Sequence, residues 1–252
     1  MEHRSPPQIF ARPRRQAALR RALVRQAARD TARYVLDEMV EDVLERLEFM
    51  RLSPARALVI GDWTGTLALS LGGGKAQVLE EDVRSLDEEQ PLAEGGFDLI
   101  VSLASLDRVN DLPAALLHLR HALADDGILI ASITGAGSLP QLRRAMLAAE
   151  PDRPAARMHP LIDNRSASAL LERAGFRRQV VDSRSMTVAY RSLDRLVSDL
   201  RDQGLGGVLA KPAGPLGKAA LDRARTAFLA TAEDRKRTLE SFEILTLTGW
   251  KS

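Results

Sequence analysis

The chain of 252 residues contains no cysteine. Disulfides, thiolate metal sites and cysteine nucleophiles are excluded together. A cysteine-free chain fits a reducing compartment. Aromatic residues are scarce at 4%, so the core must be built from Leu, Val, Ile and Ala. No apolar run approaches the roughly 20 residues that span a bilayer. The start lacks the apolar stretch of a secretory signal. The expectation is a cytoplasmic protein. The sequence shows no Ser/His/Asp arrangement, no histidine cluster with metal spacing and no Gly-Lys-Ser/Thr phosphate loop.

Charge is nearly balanced, 36 basic against 34 acidic residues for a net +2. That balance argues against nucleic acid as the main partner. The distribution is uneven: Arg12, Arg14, Arg15, Arg20, Arg21, Arg25, Arg29 and Arg33 share their segment with one acid, Asp30. Arg12–Arg33 reads either as a solvated helix face or as a peripheral contact for an anionic partner.

Residues 1–12, with Pro6 and Pro7, read as an extended arm. Helical periodicity runs from about Arg14 to Met50 and stops at Ser53-Pro54, because the residue before proline avoids the α region. The period then changes. Ala57–Gly61, Phe97–Ser102 and Ile128–Ile133 are short apolar runs of the buried parallel type. A helix is expected over Leu112–Leu123, stopped by Asp125-Asp126-Gly127. Another spans Ser138 to about Glu150. A third, capped by Ser166 or Ser168, ends at Ala174-Gly175-Phe176. Separate strands are expected at Gln179–Asp182 and Met186–Tyr190. The last strand is Phe242–Thr248. Strands alternating with helices imply a parallel sheet covered on both faces.

Ligands in such a sheet sit beyond the carboxyl ends of the strands. The first strand ends in Gly61-Asp62-Trp63-Thr64-Gly65, a glycine-containing turn into a helix, which lets backbone approach a ligand. It is not a dinucleotide fingerprint. Acids that could accept ribose hydroxyls follow at Glu80, Glu81 and Asp82, and again at Asp87-Glu88-Glu89. Taken singly, each is as well explained as an exposed loop acid. His118 and His121 are expected to face water; His159, before Pro160 in a loop, reads as a turn residue first and as a site residue second. Phe242 and Trp250 read as core.

Several pieces together resemble a known family: Pro7-Gln8-Ile9-Phe10, Gly96-Phe97-Asp98-Leu99-Ile100, Val109-Asn110-Asp111-Leu112-Pro113, Leu170-Leu171-x-Arg173-Ala174-Gly175-Phe176, Asp199-Leu200-Arg201 and Thr248-Gly249-Trp250. The family is the methyltransferase-like proteins of proteobacteria and mitochondria related to the malonyl-ACP O-methyltransferase of biotin synthesis. Within it, the chain is most similar to the branch of the mitochondrial complex I assembly factor reported as an arginine hydroxylase. The resemblance implies an α/β fold, a Rossmann-like doubly wound, mostly parallel sheet of the class I methyltransferase type. A helical extension over 1–52 precedes a methyltransferase-like domain over 53–252, with a helical lid at 191–238 broken at Gly204–Gly217. It implies S-adenosylmethionine as cofactor, with Gly61, Asp62, Trp63, Gly65, Glu81, Asp87, Glu88 and Ser102 around it. No catalytic residue and no metal ligand is assigned.

The departures from the family pattern are specific. Its first motif reads Asp-Leu-Gly-x-Gly-x-Gly, whereas Val59 stands for the acid and Trp63 for the middle glycine. The indole would project where the methionine part of the cofactor packs. The Gly65–Phe97 stretch is short enough to have lost a helix and a strand. Asp107-Arg108 replaces a His-Trp pair. Three readings follow: a methyltransferase acting on a protein or acyl-carrier substrate, an inactive assembly or binding protein with a protein partner, and a protein arginine hydroxylase.

Overall fold

A computed structural model describes residues 7–28, 30–152, 154–232 and 237–252. Two helices come first, α1 (Arg12–Gln26) and α2 (Tyr34–Phe49). Val35, Met39, Val40, Val43 and Leu47 form the buried stripe of α2, at the three- and four-residue spacing of one helix face. The chain leaves α2 through Arg51, held at φ 52.

The alternating part follows as β1 (Arg56–Ile60), α3 (Thr66–Gly73), β2 (Gln77–Glu81), β3 (Phe97–Leu103), α4 (Leu112–Ala122), β4 (Leu123–Thr134), α5 (Pro140–Ala149), α6 (Asn164–Arg173) and β5 (Arg177–Tyr190). Then come α7 (Leu193–Asp202), α8 (Lys218–Leu229) and β6 (Thr238–Trp250). The six strands form one sheet in the order β2-β1-β3-β4-β6-β5. The β2–β1, β1–β3 and β3–β4 pairs are parallel, and β6 runs antiparallel to both β4 and β5. The carboxyl ends of β1 to β4 therefore share one edge, and the direction of winding reverses between β1 and β3.

Both faces are covered. One face of the sheet packs against α2, α3, α5, α7 and α8 through residues such as Met39, Leu67, Ala145, Leu196 and Phe228. The other packs against α4 and α6 through Leu116, Leu119 and Leu171. Helices α7 and α8 thus contribute buried side chains to the core. The Gly204–Gly217 segment between them is pinned by the amino-terminal arm: Phe10 bridges Leu209, Ala11 donates to Val208 O at 2.9 Å, and Ala210 donates to Ile9 O at 2.8 Å.

Three sequence expectations change. The Gly65–Phe97 stretch keeps the helix after the glycine turn, α3, and one strand, β2. The expected shortening falls in residues 82–96, where a loop joins parallel β2 to β3 without the helix that usually makes such a crossover. The two expected strands at 179–190 are one, because β6 supplies an unbroken ladder from Val180 to Tyr190. Strand β4 begins at Leu123, with Asp126 at φ 59 before the ladder resumes at Ile128. Helix α6 is capped by Asp163, which accepts from Ser166 N at 2.7 Å, in place of Ser166 or Ser168.

Candidate functional site

Two cavities lie along the carboxyl edge of the parallel strands. The first is an open cleft of about 590 Å³ beyond β1 and β2, lined by Gly61, Trp63, Gly65, Glu80, Glu81 and neighbours. Gly61 sits at φ +89, and a Cβ there would collide with the backbone oxygen of Leu103. The turn therefore demands glycine at this position. Gly65, at φ +70, starts α3.

Asp62 is buried and turned into the turn itself. Its carboxylate accepts from Thr64 N at 3.0 Å and Leu67 N at 2.8 Å, and from the Thr64 hydroxyl. A carboxylate in that position satisfies free amides at the helix start. The amino terminus of α3 is thus occupied by the chain's own anion.

Trp63 separates the open cleft from a residual void of about 20 Å³ bounded by Leu19, Leu36, Leu103, Arg108 and Leu205. Its ring edge lies 3.6 Å from where a Cβ on Gly204 would stand. Its Nε1–H is buried with no hydrogen-bond partner, which costs about 1–3 kcal/mol. The indole thus packs against the turn after α7, and Leu19 of α1 lies 3.3 Å from the same added Cβ position.

The remaining expected cofactor residues divide. Glu81 stays in the cleft. Asp87 and Glu88 do not line it, because α1 holds both. Arg12 pairs with Asp87 at 2.8 Å, and Arg15 forms a bidentate pair with Glu88, one contact at 2.8 Å. The Arg15 and Glu88 side chains are 7% and 2% exposed, and the Ser105 hydroxyl donates to Glu88 as well. Ser102 is buried inside β3, its hydroxyl unpartnered and outside the cleft. The arginine-rich segment is only partly a solvated face, since Arg25 and Arg33 also pair, with Asp202 and Asp37.

The second cavity, about 260 Å³, lies beyond β4, between α5, α7 and the segment after Gly204. Its walls are mainly apolar, including Leu142, Met146, Leu200 and Phe242. Asp107, Arg108 and Thr134 also line it, and Asp107 Oδ1, Arg108 Nε and Thr134 Oγ1 are buried without a hydrogen bond. The Arg108 and Asp107 side chains are 2% and 5% exposed, with Nε 3.5 Å from Oδ1. The other Arg108 nitrogens donate to Gly204 O and to Ala104 O. Burial pushes the Arg108 guanidinium down, opposed by the Asp107 charge. His159 accepts from Val208 N at 2.8 Å and meets the Phe10 ring edge-on at 5.3 Å. Burial and the Arg108 charge lower its pKa to about 4. Thr134 carried no signal in the sequence and Arg15 only that of the arginine-rich segment, whereas Asp107-Arg108 was visible as a departure from the family pattern.

Among the described residues, no cluster of metal-ligating side chains is present, and no helix is long and apolar enough to cross a membrane. His118 is half-buried and His121 is exposed.

Residues 42–181 match the family model described as "Methyltransferase domain". The chain is 28% identical to a "Malonyl-[acyl-carrier protein] O-methyltransferase" of Gallionella capsiferriformans, covering 93% of this chain and 90% of that relative. It is 35% identical to the "Arginine-hydroxylase NDUFAF5, mitochondrial" of Mus musculus, covering 50% of this chain but 39% of that relative. In fold it is similar to the 1,6-didemethyltoxoflavin-N1-methyltransferase of Burkholderia thailandensis, solved with S-adenosylhomocysteine. The TM-score is 0.51 at 14% identity, over 98% of this chain and 94% of that one.

Proposed function

The chain belongs to the methyltransferase-domain family, and from that membership we propose that it is a binding protein of the family that does not transfer methyl groups. The observation that carries the reading is the position of Trp63. A nucleoside has room in the open cleft, with Glu80 and Glu81 available to its sugar hydroxyls. The amino-acid tail of S-adenosylmethionine would have to pass Gly61 into the space held by the indole, where about 20 Å³ remains. The residues present suit the nucleoside half of the cofactor and not its methionine half. A sulfonium that cannot be seated cannot be aligned with an acceptor, and alignment is the main catalytic requirement of an in-line displacement. The ion pairs from Arg12 and Arg15 support the same reading, since they commit Asp87 and Glu88 to holding α1.

The open cleft, with Gly61, Gly65 and Glu81 in it, is the observation that favours the alternative of a working methyltransferase. Calorimetry with adenosine and S-adenosylhomocysteine separates the two. A protein restricted to the nucleoside half binds adenosine at least as tightly as the homocysteine conjugate. Preference for the conjugate by about tenfold or more, a gain of about 1.4 kcal/mol, would favour the enzyme.

A further inference from the structure

The cavity beyond β4 has features that packing alone does not explain. Buried polar atoms are normally satisfied. Here Asp107, Arg108 and Thr134 line one void; Thr134 Oγ1 has no hydrogen-bond partner, and Asp107 Oδ1 and Arg108 Nε have only each other, as an ion pair at 3.5 Å without a hydrogen bond. The rest of the wall is mainly aliphatic. At about 260 Å³, the void has room for roughly nine heavy atoms at about 30 Å³ each.

One wall continues outward. Arg201, Gly206 and Gly207 line this cavity and also a neighbouring surface hollow of about 380 Å³, whose other residues include Arg21 and Arg25. Gly206 and Gly207 put no side chain on this shared wall, and a Cβ on either would meet nothing within 4 Å. Among the described residues, Arg25 pairs with Asp202. Arg21 and Arg201 are exposed, and among the described residues no side-chain hydrogen bond or ion pair of theirs is present. Of the other arginines at the cavity, Arg157 is committed to Glu150 and Gly214 O and Arg108 to Gly204 O and Ala104 O.

We infer that these two spaces form one binding site for a single-chain amphiphile. Its anionic head would sit at Arg21, Arg25 and Arg201. Its apolar body would pass Gly206–Gly207 into the cavity. A hydroxyl or carbonyl at its buried end would meet Asp107, Arg108 and Thr134. The chemistry follows from the lining: guanidinium groups favour carboxylate or phosphate, aliphatic walls favour a hydrocarbon body, and the Thr134 hydroxyl, which has no hydrogen-bond partner, beside the Asp107–Arg108 ion pair favours a matching polar group. The site needs neither the open cleft nor a cofactor, so it stands whether or not Trp63 blocks methyl transfer.

The test is calorimetric titration of the full chain, without nucleotide, using octanoate, octyl phosphate, ω-hydroxyoctanoate, octanol and octylamine. Both anions should bind, octanoate and octyl phosphate reporting which head is preferred. Octanol and octylamine should bind at least about tenfold more weakly, and ω-hydroxyoctanoate about tenfold more tightly than octanoate. Arg21→Glu with Arg201→Glu lies on the surface and should abolish anion binding while leaving the melting temperature in place. Thr134→Val, nearly isosteric, should reduce the hydroxyl advantage. Gly207→Val, where the space for a Cβ is open, should narrow the passage and weaken every ligand. The proposal is overturned if neither anion binds at millimolar concentration or if octanol and octylamine match the anions. It is equally overturned if the double charge reversal changes nothing or if the hydroxyl brings no gain.

Discussion

Arg15 of α1 and Glu88 of the loop between β2 and β3 form a buried, bidentate ion pair that fastens the first helix over the open cleft. The two residues are 73 positions apart. The pair joins the arginine-rich segment to the acidic loop that replaces a crossover helix, and Ser105 of the β3–α4 connection supports it.

Removing one partner leaves an uncompensated charge in the interior. Glu88→Gln is expected to lower stability by about 3–5 kcal/mol, whereas Arg15→Met with Glu88→Leu should recover most of that loss. Urea denaturation of the parent and the two variants measures it. Equal stability of Glu88→Gln and the parent would contradict the buried pair.

Asn110 governs the amino-terminal arm. Its side-chain oxygen accepts from Ile9 N and Phe10 N, both at 2.8 Å, and its amide donates to Phe10 O at 3.2 Å. Asn110→Ala should cost about 2 kcal/mol, three modest hydrogen bonds in part. Amide exchange should accelerate at Ile9, Phe10, Val208 and Ala210 and stay unchanged in β1.

Gly61→Ala should cost about 3 kcal/mol, because a side chain at φ +89 meets the Leu103 backbone and strain adds to overpacking. Thermal or urea denaturation reads it. Gly65→Ala is the comparison. No atom lies within 4 Å of a Cβ at Gly65, so only the backbone strain of its positive φ remains.

His159 gives a pH dependence of definite sign. Its folded pKa is held down to about 4 by burial, against 6.5 when unfolded. The unfolded chain takes up the proton first as pH falls. The stabilisation is therefore complete above pH 6.5 and is lost between there and about pH 4, by about 3 kcal/mol at most. His159→Asn should flatten the fall in unfolding free energy across that window. An unchanged slope would contradict a buried, neutral imidazole.

The central parallel strands were legible because burial on both faces makes their sequences continuously apolar, as in Ala57–Ile60 and Leu99–Val101. Helix α2 was legible from its stripe. The pieces lost to sequence reading depend on partners far away. Strand β2 is a half-exposed edge strand with Glu80 and Glu81 in it, and only the ladder to β1 makes it a strand. Helix α3 was expected after the glycine turn but not its extent: it ends in Gly72-Gly73-Gly74, which reads as a loop, yet Leu67 and Leu71 bury and Asp62 secures its start. Ser183-Arg184-Ser185 interrupts the apolar pattern of β5, and β6 carries the strand across it. At the candidate site, Gly61, Trp63 and Glu81 fall together as the spacing indicated. Asp87 and Glu88 are drawn away by arginines whose partners no local pattern could identify. The kinship of Pro7–Phe10 with Val109–Pro113 in one family pattern has a plain cause, since Asn110 holds Ile9 and Phe10.

The most direct test is calorimetric titration of S-adenosylmethionine into the parent protein and into Trp63→Gly. With the indole filling the methionine half of the cleft, the parent should show no binding tighter than millimolar, and the glycine variant should gain at least about tenfold. Sub-micromolar binding by the parent, or no gain on removing the indole, would contradict the account.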